Sequence, residues 1–390
     1  MVGGFYLSGD SGDSGDSGDS GDSGDSGDSG DSGGAGRMGS SARALILARD
    51  GVVGHWGGAN TRVKNYKPGP GTIDLWDMRF RLLAMEGELL AGFDYLEGGG
   101  ADPTKHSLAL MHYDRAAKSE STLLTLTRPG ETQFYEQLDL VASYAALRGE
   151  RAAEITNQAR SFTRYFASVL YLSETRHQKT FEVIWLALNV TRIIEMRIKQ
   201  GLACKRPADY SPQIQPMLAA PGHASLPSGH ATEAFVIAFL LDALRRRVGA
   251  TGKQTNTIEK ANPVFQQLML HAERIAVNRT VAGLHFPVDS AAGMVLAYVL
   301  SNVFIRRFTG VGATNSVWFN GTAFAGDFFY NEVLDFLIPP PPAAMPGEPG
   351  GAAAAAPAPK DAIATGDAIE IAGKSDLLNE LWKQALQEWA

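Results

Sequence analysis

The segment PSGHATEAFVIAFLLDALRRRV, residues 227–248, decides how the rest of the chain is read. Ser228, Gly229 and His230 open a helix, and an apolar run follows from Phe235 to Leu244, cut by Asp242 and ended by Arg245. A bilayer span needs about 18 or more apolar residues, so this run predicts a buried core helix instead. The stretch Ala291–Ile305 reads the same way, since it contains Ser301 and Asn302 and runs into Arg306. No uninterrupted apolar run of spanning length stands in the sequence, and the expectation is a protein without a membrane span.

Working outward, helical spacing of apolar residues predicts helices from near Glu131 through Tyr144, over about 150–172, and over about 177–200. Asn262-Pro263 opens another that ends near Gly283, and Pro287 starts one reaching Phe308, with proline placed where helix starts prefer it. Before these, Leu75–Leu90 predicts one helix within an otherwise irregular stretch rich in Gly and Pro, such as Lys67-Pro68-Gly69-Pro70-Gly71 and Gly98-Gly99-Gly100. The predicted fold class is therefore all-α: a helical bundle over about 131–309 with an irregular N-terminal region packed on it.

The predicted organisation is a Gly-Asp-Ser tail over 1–40, a helical domain over 41–337, a linker over 338–365 and a C-terminal helix over 366–390. Its repeat, residues 8–34, has no apolar content with which to offset ordering entropy, so the tail is expected to be disordered. Gly30-Asp31-Ser32-Gly33-Gly34 spells the nucleophile signature of trypsin-like serine proteases, but it arises from the repeat and has no strand-rich domain around it. The Pro- and Ala-rich composition marks the linker. Asp376–Trp389 reads as an amphipathic helix that docks on the body or on another subunit.

Charge narrows the partners. The 390 residues carry a formal net charge of −7, and leaving out the eight Asp of the repeat puts the remainder at +1. A neutral body lacks the basic footprint of a nucleic-acid binder, so small diffusible substrates are expected. The one cysteine, Cys204, excludes an internal disulfide and a Cys-based zinc cluster. Met1–Phe5 shows neither the basic segment nor the apolar stretch of a signal peptide, which makes cytoplasmic the default expectation.

Three clusters carry chemistry: Lys199 with Arg206-Pro207; Pro227-Ser228-Gly229-His230; and Arg279, His285 and Asp289. Lys199, Arg206 and Arg279 bring three positive charges, and guanidinium forks suit the oxygens of a tetrahedral anion. Ser228 and Gly229 stand at a helix start, where backbone N–H groups and the helix dipole favour an anion. Asp289 is placed to hold one ring nitrogen of His285, leaving the other as nucleophile or metal ligand. His230 is suited to acid–base work. Together these make an oxyanion cradle with a nucleophile.

This pattern resembles the superfamily shared by vanadium haloperoxidases and type 2 phosphatidic acid phosphatases, which has helix-bundle folds. Its ten defining positions are matched by Lys199, Arg206, Pro207, Pro227, Ser228, Gly229, His230, Arg279, His285 and Asp289; Asn278 stands where a Ser is usual. The resemblance implies a vanadate cofactor whose vanadium is bonded by His285. Its oxygens would be held by Lys199, Arg206, Ser228, Gly229 and Arg279, with His230 at the apical oxygen. Hydrogen peroxide would bind there, polarised by Lys199, and a halide would attack it, yielding hypohalous acid for small organic substrates. His223, seven residues before His230, resembles the second active-site histidine of bromide-oxidising members. Members are commonly dimers or larger, which implies a homo-oligomer.

The same ten residues also fit a phosphatase in which His285 forms a phosphohistidine and His230 protonates the leaving group. The clusters alone do not decide. Lipid phosphatases of the superfamily are membrane proteins with short soluble parts, whereas this chain has about 160 residues of globular sequence before its first cluster. That difference and His223 favour the bromide- or iodide-oxidising haloperoxidase; a soluble acid phosphatase is the alternative.

Bland roles stand beside these. Any one of Lys199, Arg206 and Arg279 alone reads as part of a solvated helix face, Asp289 as a first-turn acid, and His223 as a structural loop residue. Cys204 reads as an inert, partly buried thiol. His55, His106, His112, His177 and His271 lack metal-ligand spacing.

Overall fold

The computed structural model describes residues 40–55, 68–99, 106–114, 118–248, 258–339, 362–369, 371 and 373–389. The Gly-Asp-Ser tail and most of the expected linker lie outside the described residues. The chain divides into two units, residues 14–72 and the remainder. The first holds α1 (Ser40–Val53), on which Leu45, Leu47 and Val52 are exposed.

In the larger unit four helices form the centre: α6 (Gln178–Leu202), α8 (Gly229–Val248), α9 (Pro263–Val281) and α10 (Pro287–Thr309). Helix α8 packs on α6, α9 and α10, and its residues from Ala231 to Leu244 are buried. Asp242, which interrupts the apolar run, is buried as well, and its carboxylate accepts from Arg245 and Arg246 at 2.7 Å each. Burial of a charge is tolerated when it is paired in this way. Helix α10 starts on Pro287, ends at Gly310 in the left-handed region (φ 73°), and is long and apolar enough to cross a bilayer. In its most apolar window 83% is buried within the protein, as in a core helix. The α8–α10 crossing depends on Gly293, where a Cβ would lie 2.9 Å from the Ser228 carbonyl oxygen.

Smaller helices surround this centre: α2 (Met78–Leu90), α3 (Glu131–Tyr144), α4 (Arg148–Gln158), α5 (Thr163–Leu170), α7 (Pro207–Tyr210), α11 (Tyr330–Leu337) and α12 (Asp376–Gln387). The single helix expected over 150–172 is two, α4 and α5, separated by a corner at residues 159–162. That corner sets Phe162 against the ring of His230, with centroids 5.6 Å apart.

The all-α expectation is corrected by a five-stranded sheet, so the protein is helix-rich with a mixed sheet. Strands β1 (Phe93–Gly98), β2 (Ser107–Asp114), β3 (Ser119–Thr127), β4 (Thr314–Asn320) and β5 (Ile363–Ile369) lie in that order. All neighbours are antiparallel except β3 and β4, which are parallel, with Leu124 opposite Val317. Between β3 and β4 the chain builds the whole helical centre. Strand β2 alternates half-buried and buried residues, and Leu108, Leu110, Leu124, Leu126, Val317 and Phe319 are its and its neighbours' core side chains. Strand β5 crosses the boundary at 365–366 where a linker was expected to give way to a helix.

Helix α12 packs on α6, α10 and α2. Trp382 stacks on Phe308 at 5.3 Å, and Asn379 donates to the Phe308 carbonyl at 2.7 Å. Glu388 accepts the backbone N–H groups of Lys179 (2.6 Å) and Thr180 (2.8 Å), which satisfies donors that the first turn of α6 leaves unpaired.

Candidate active site

The start of α10 organises the site. Pro287 occupies the first turn, and Asp289 two residues on turns its carboxylate back to accept the Phe286 N–H at 3.0 Å. The same oxygen lies 3.1 Å from Nδ1 of His285 and accepts the Ser225 hydroxyl at 2.5 Å. A carboxylate at that distance fixes the proton on Nδ1, so the Nε2 lone pair points away from Asp289. Nε2 lies 3.3 Å from an Arg206 guanidinium nitrogen, a donor that suits an unprotonated nitrogen. Burial, reinforced by the Arg206 charge, lowers the pKa of His285 to about 4 against the opposing pull of Asp289. The imidazole is therefore neutral at pH 7, the form that attacks or ligates.

The segment 221–228 passes over His285 and is held by two of the three expected anion-binding cations. Lys199, in the last turn of α6 and 1% exposed, donates to the carbonyls of Ala224 (3.2 Å), Ser225 (3.1 Å) and Pro227 (2.6 Å). Arg206 donates to the carbonyls of His223 (3.2 Å) and Leu284 (3.0 Å), so it ties this segment to the one carrying His285. His223 is half-buried, with Nδ1 3.4 Å from Arg206.

Helix α8 begins beside them. The Ser228 N–H donates to the Asp289 carbonyl at 2.9 Å, which joins the starts of α8 and α10. Its hydroxyl is buried and, among the described residues, makes no hydrogen bond. Gly229 was expected to let backbone approach an anion. In the structure the position its Cβ would take lies 2.6 Å from a carboxylate oxygen of Glu195. His230 is 3% exposed and packs on Phe162.

Arg279, in the last turn of α9, is buried and donates to the Ile155 carbonyl at 3.1 Å and toward the Gln158 side chain at 3.5 Å. Asn278, where a serine is usual, caps nothing at a helix start: it donates to Gln158 at 2.9 Å and accepts from Arg151 at 3.1 Å. Direct contacts thus link Arg206, His223, Ser228, His285 and Asp289, and Lys199 joins them through the carbonyls of Ala224, Ser225 and Pro227. Gly229 and His230 follow Ser228 in the first turn of α8; Arg279 is held by the last turn of α4, and His230 meets Phe162 in the corner that follows it.

Sequence reasoning missed Ser225, Gln158 and Glu195. Ser225 and Gln158 are buried polar residues whose partners Asp289 and Asn278 lie far along the chain, where no spacing rule marks them, whereas Glu195 stands at i,i+4 to Lys199, a spacing that could have found it. The inert reading of Cys204 agrees with its surroundings, since burial pushes that thiol up to about 12.

Residues 180–311 match the sequence profile of the PAP2 superfamily. The match runs from α6 past the end of α10 and takes in all three clusters. A solved structure similar to this chain is that of the first transmembrane PAP2 type phosphatidylglycerolphosphate phosphatase from Bacillus subtilis. It is 15% identical, and the similarity covers 60% of this chain and 92% of that one, with a TM-score of 0.31. No curated protein matches the sequence. The buried cluster around His285 and Asp289 thus lies wholly inside the region, residues 180–311, that matches the PAP2 superfamily.

Proposed function

We propose that this site hydrolyses phosphate esters, with His285 as nucleophile and His230 as general acid. The observation that carries the reading is the state of His285: neutral, its Nδ1–H given to a buried carboxylate, and its Nε2 turned to the Arg206 guanidinium. The Ser228 hydroxyl, the start of α8, Arg206 and Arg279 supply donors for a tetrahedral oxyanion. Nε2 attacks phosphorus, forming an N–P bond as the P–O bond to the alcohol breaks, and His230 gives the leaving oxygen its proton. Water then attacks the phosphohistidine, His230 takes the proton back, and orthophosphate leaves with Nε2 restored. Asp289 holds the ring in place throughout and balances charge on it.

A second reading is supported by His223, whose place seven residues before His230 resembles that of the second active-site histidine of bromide-oxidising haloperoxidases, and which lies 3.4 Å from Arg206. The residues fit vanadate as they fit phosphate: His285 Nε2 would hold vanadium, and Lys199, Arg206, Ser228, Gly229 and Arg279 its oxygens. Vanadate would supply a Lewis-acidic centre that activates hydrogen peroxide toward bromide or iodide. In that chemistry His230 would move protons, Lys199 would add positive charge, and His223 would serve as the second histidine of the site.

One pair of assays separates these. The purified full-length protein is given an aryl phosphate, and separately bromide, peroxide and a phenol-type dye before and after loading with orthovanadate. Hydrolysis that disappears in His285→Gln is the expected result. Bromination that needs vanadate, without hydrolysis, selects the second reading, and the absence of both activities removes both.

A further inference from the structure

Buried on α6, one turn before Lys199, is a carboxylate that the reaction above does not use. Glu195 is 1% exposed, and one of its oxygens lies 3.5 Å from the Lys199 ammonium. That same oxygen, Oε1, also faces the start of α8, so close to Gly229 that a Cβ there would lie 2.6 Å from Oε1 and 3.3 Å from Oε2. The α6–α8 seam has a second buried acid, Glu233, which Arg192 holds in a two-pronged pair at 2.8 and 2.9 Å. Glu195 differs from it in touching both a cradle cation and the backbone of the cradle's helix start. Placing a negative charge there works against anion binding, and burying one costs several kcal/mol unless it is paired. A merely structural counterion for Lys199 would not have to press against Gly229.

We infer that Glu195 sets the charge selectivity of the oxyanion site, disfavouring doubly charged tetrahedral anions relative to singly charged ones; this rests on the phosphoryl-transfer reading above. Lys199, Arg206 and Arg279 together would hold a doubly charged orthophosphate tightly, and hydrolysis requires that this product leave. With Asp289 committed to His285, Glu195 is a buried carboxylate set directly against one of the three cations, Lys199. A fixed negative charge penalises an anion in proportion to the anion's own charge, so the penalty is larger for a dianion than for a monoanion. Glu195 also holds Lys199 on the carbonyls of 224–227, which makes it a positioning residue for the segment over His285. Gly229 is required at the start of α8 because any side chain would displace this carboxylate.

The test uses sulfate and perchlorate, two tetrahedral anions of fixed and different charge near neutrality, with binding to the full-length protein measured by calorimetry. In Glu195→Gln sulfate is expected to bind about tenfold tighter, with a smaller gain for perchlorate, so that the ratio of the two affinities rises. Glu195→Asp, which keeps the charge but draws it back by one methylene, is expected to give an intermediate ratio, and it serves alone if the Gln variant does not fold. A ratio equal to the wild type's in either folded variant overturns the role of Glu195 and leaves the anion site standing. Wild-type protein that binds neither sulfate nor orthovanadate overturns the anion-site reading, and the inference falls with it.

Discussion

At the scale of single residues, Asp289 concentrates the most interactions in the least space. One oxygen accepts from His285, Ser225 and the Phe286 backbone, all buried. Asp289→Ala leaves these donors unpaired, and a loss of about 3 kcal/mol is expected, read as a lower urea midpoint together with loss of hydrolysis. His285 ties stability to pH. Its ordinary value of 6.5 falls to about 4 on folding, so between these values the unfolded chain binds a proton that the folded chain refuses. Its contribution is complete above 6.5 and is lost as pH falls toward 4, a change of about 3 kcal/mol. Urea midpoints should therefore fall over that window, and fall less steeply in His285→Gln. Lys199, Arg206, His230, His285 and Asp289 were legible in the sequence because one helix end, that of α6, and three helix starts, those of α7, α8 and α10, fix their spacing. The immediate partners of Lys199 and Arg206 were not legible, because backbone carbonyls of a loop leave no mark in residue types.

At the scale of elements, the long helices were readable from periodic apolar residues and from Pro263, Pro287 and Gly310 at their ends. The strands were not. Strand β2 alternates over only a few residues, the β2–β3 pairing carries an irregularity at Leu110/Met111, and Gly98 and its neighbours read as irregular chain. Pairing in a sheet is decided by distant strands, and β4 and β5 arrive only after the helical centre, so local composition does not announce them. The break between α4 and α5 was likewise hidden, since helical apolar spacing continues through Phe162 and Phe166. Helix α12 supplies the test at this scale. Trp382 is 1% exposed against Phe308, and Trp382→Ala is expected to cost about 3–5 kcal/mol, seen as a lowered melting temperature. If α12 were a loosely attached appendage, the substitution would leave the melting temperature unchanged.

At the scale of the whole molecule, the candidate constellation lies inside residues 180–311, while the sheet is built from segments before and after them. Strands β1 to β3 precede the helical centre and β4 and β5 follow it, so the sheet is a frame drawn from both flanks and packed on α6, which carries Lys199, and on α10, whose first turn carries Asp289. The frame reaches the site through α6, where the His106 ring lies 2.7 Å from the Gly201 carbonyl and Leu108 packs against Gly201, two residues beyond Lys199. The central claim is that the frame holds His285 Nε2 as the nucleophile of phosphoryl transfer. Its most direct test is rapid quenching of the full-length protein during turnover of an aryl phosphate, under alkaline conditions that preserve phosphohistidine, followed by peptide mass spectrometry. A phosphoryl group on His285, lost in His285→Gln together with turnover, is the expected result; phosphorylation of another residue, or undiminished hydrolysis by His285→Gln, would contradict it.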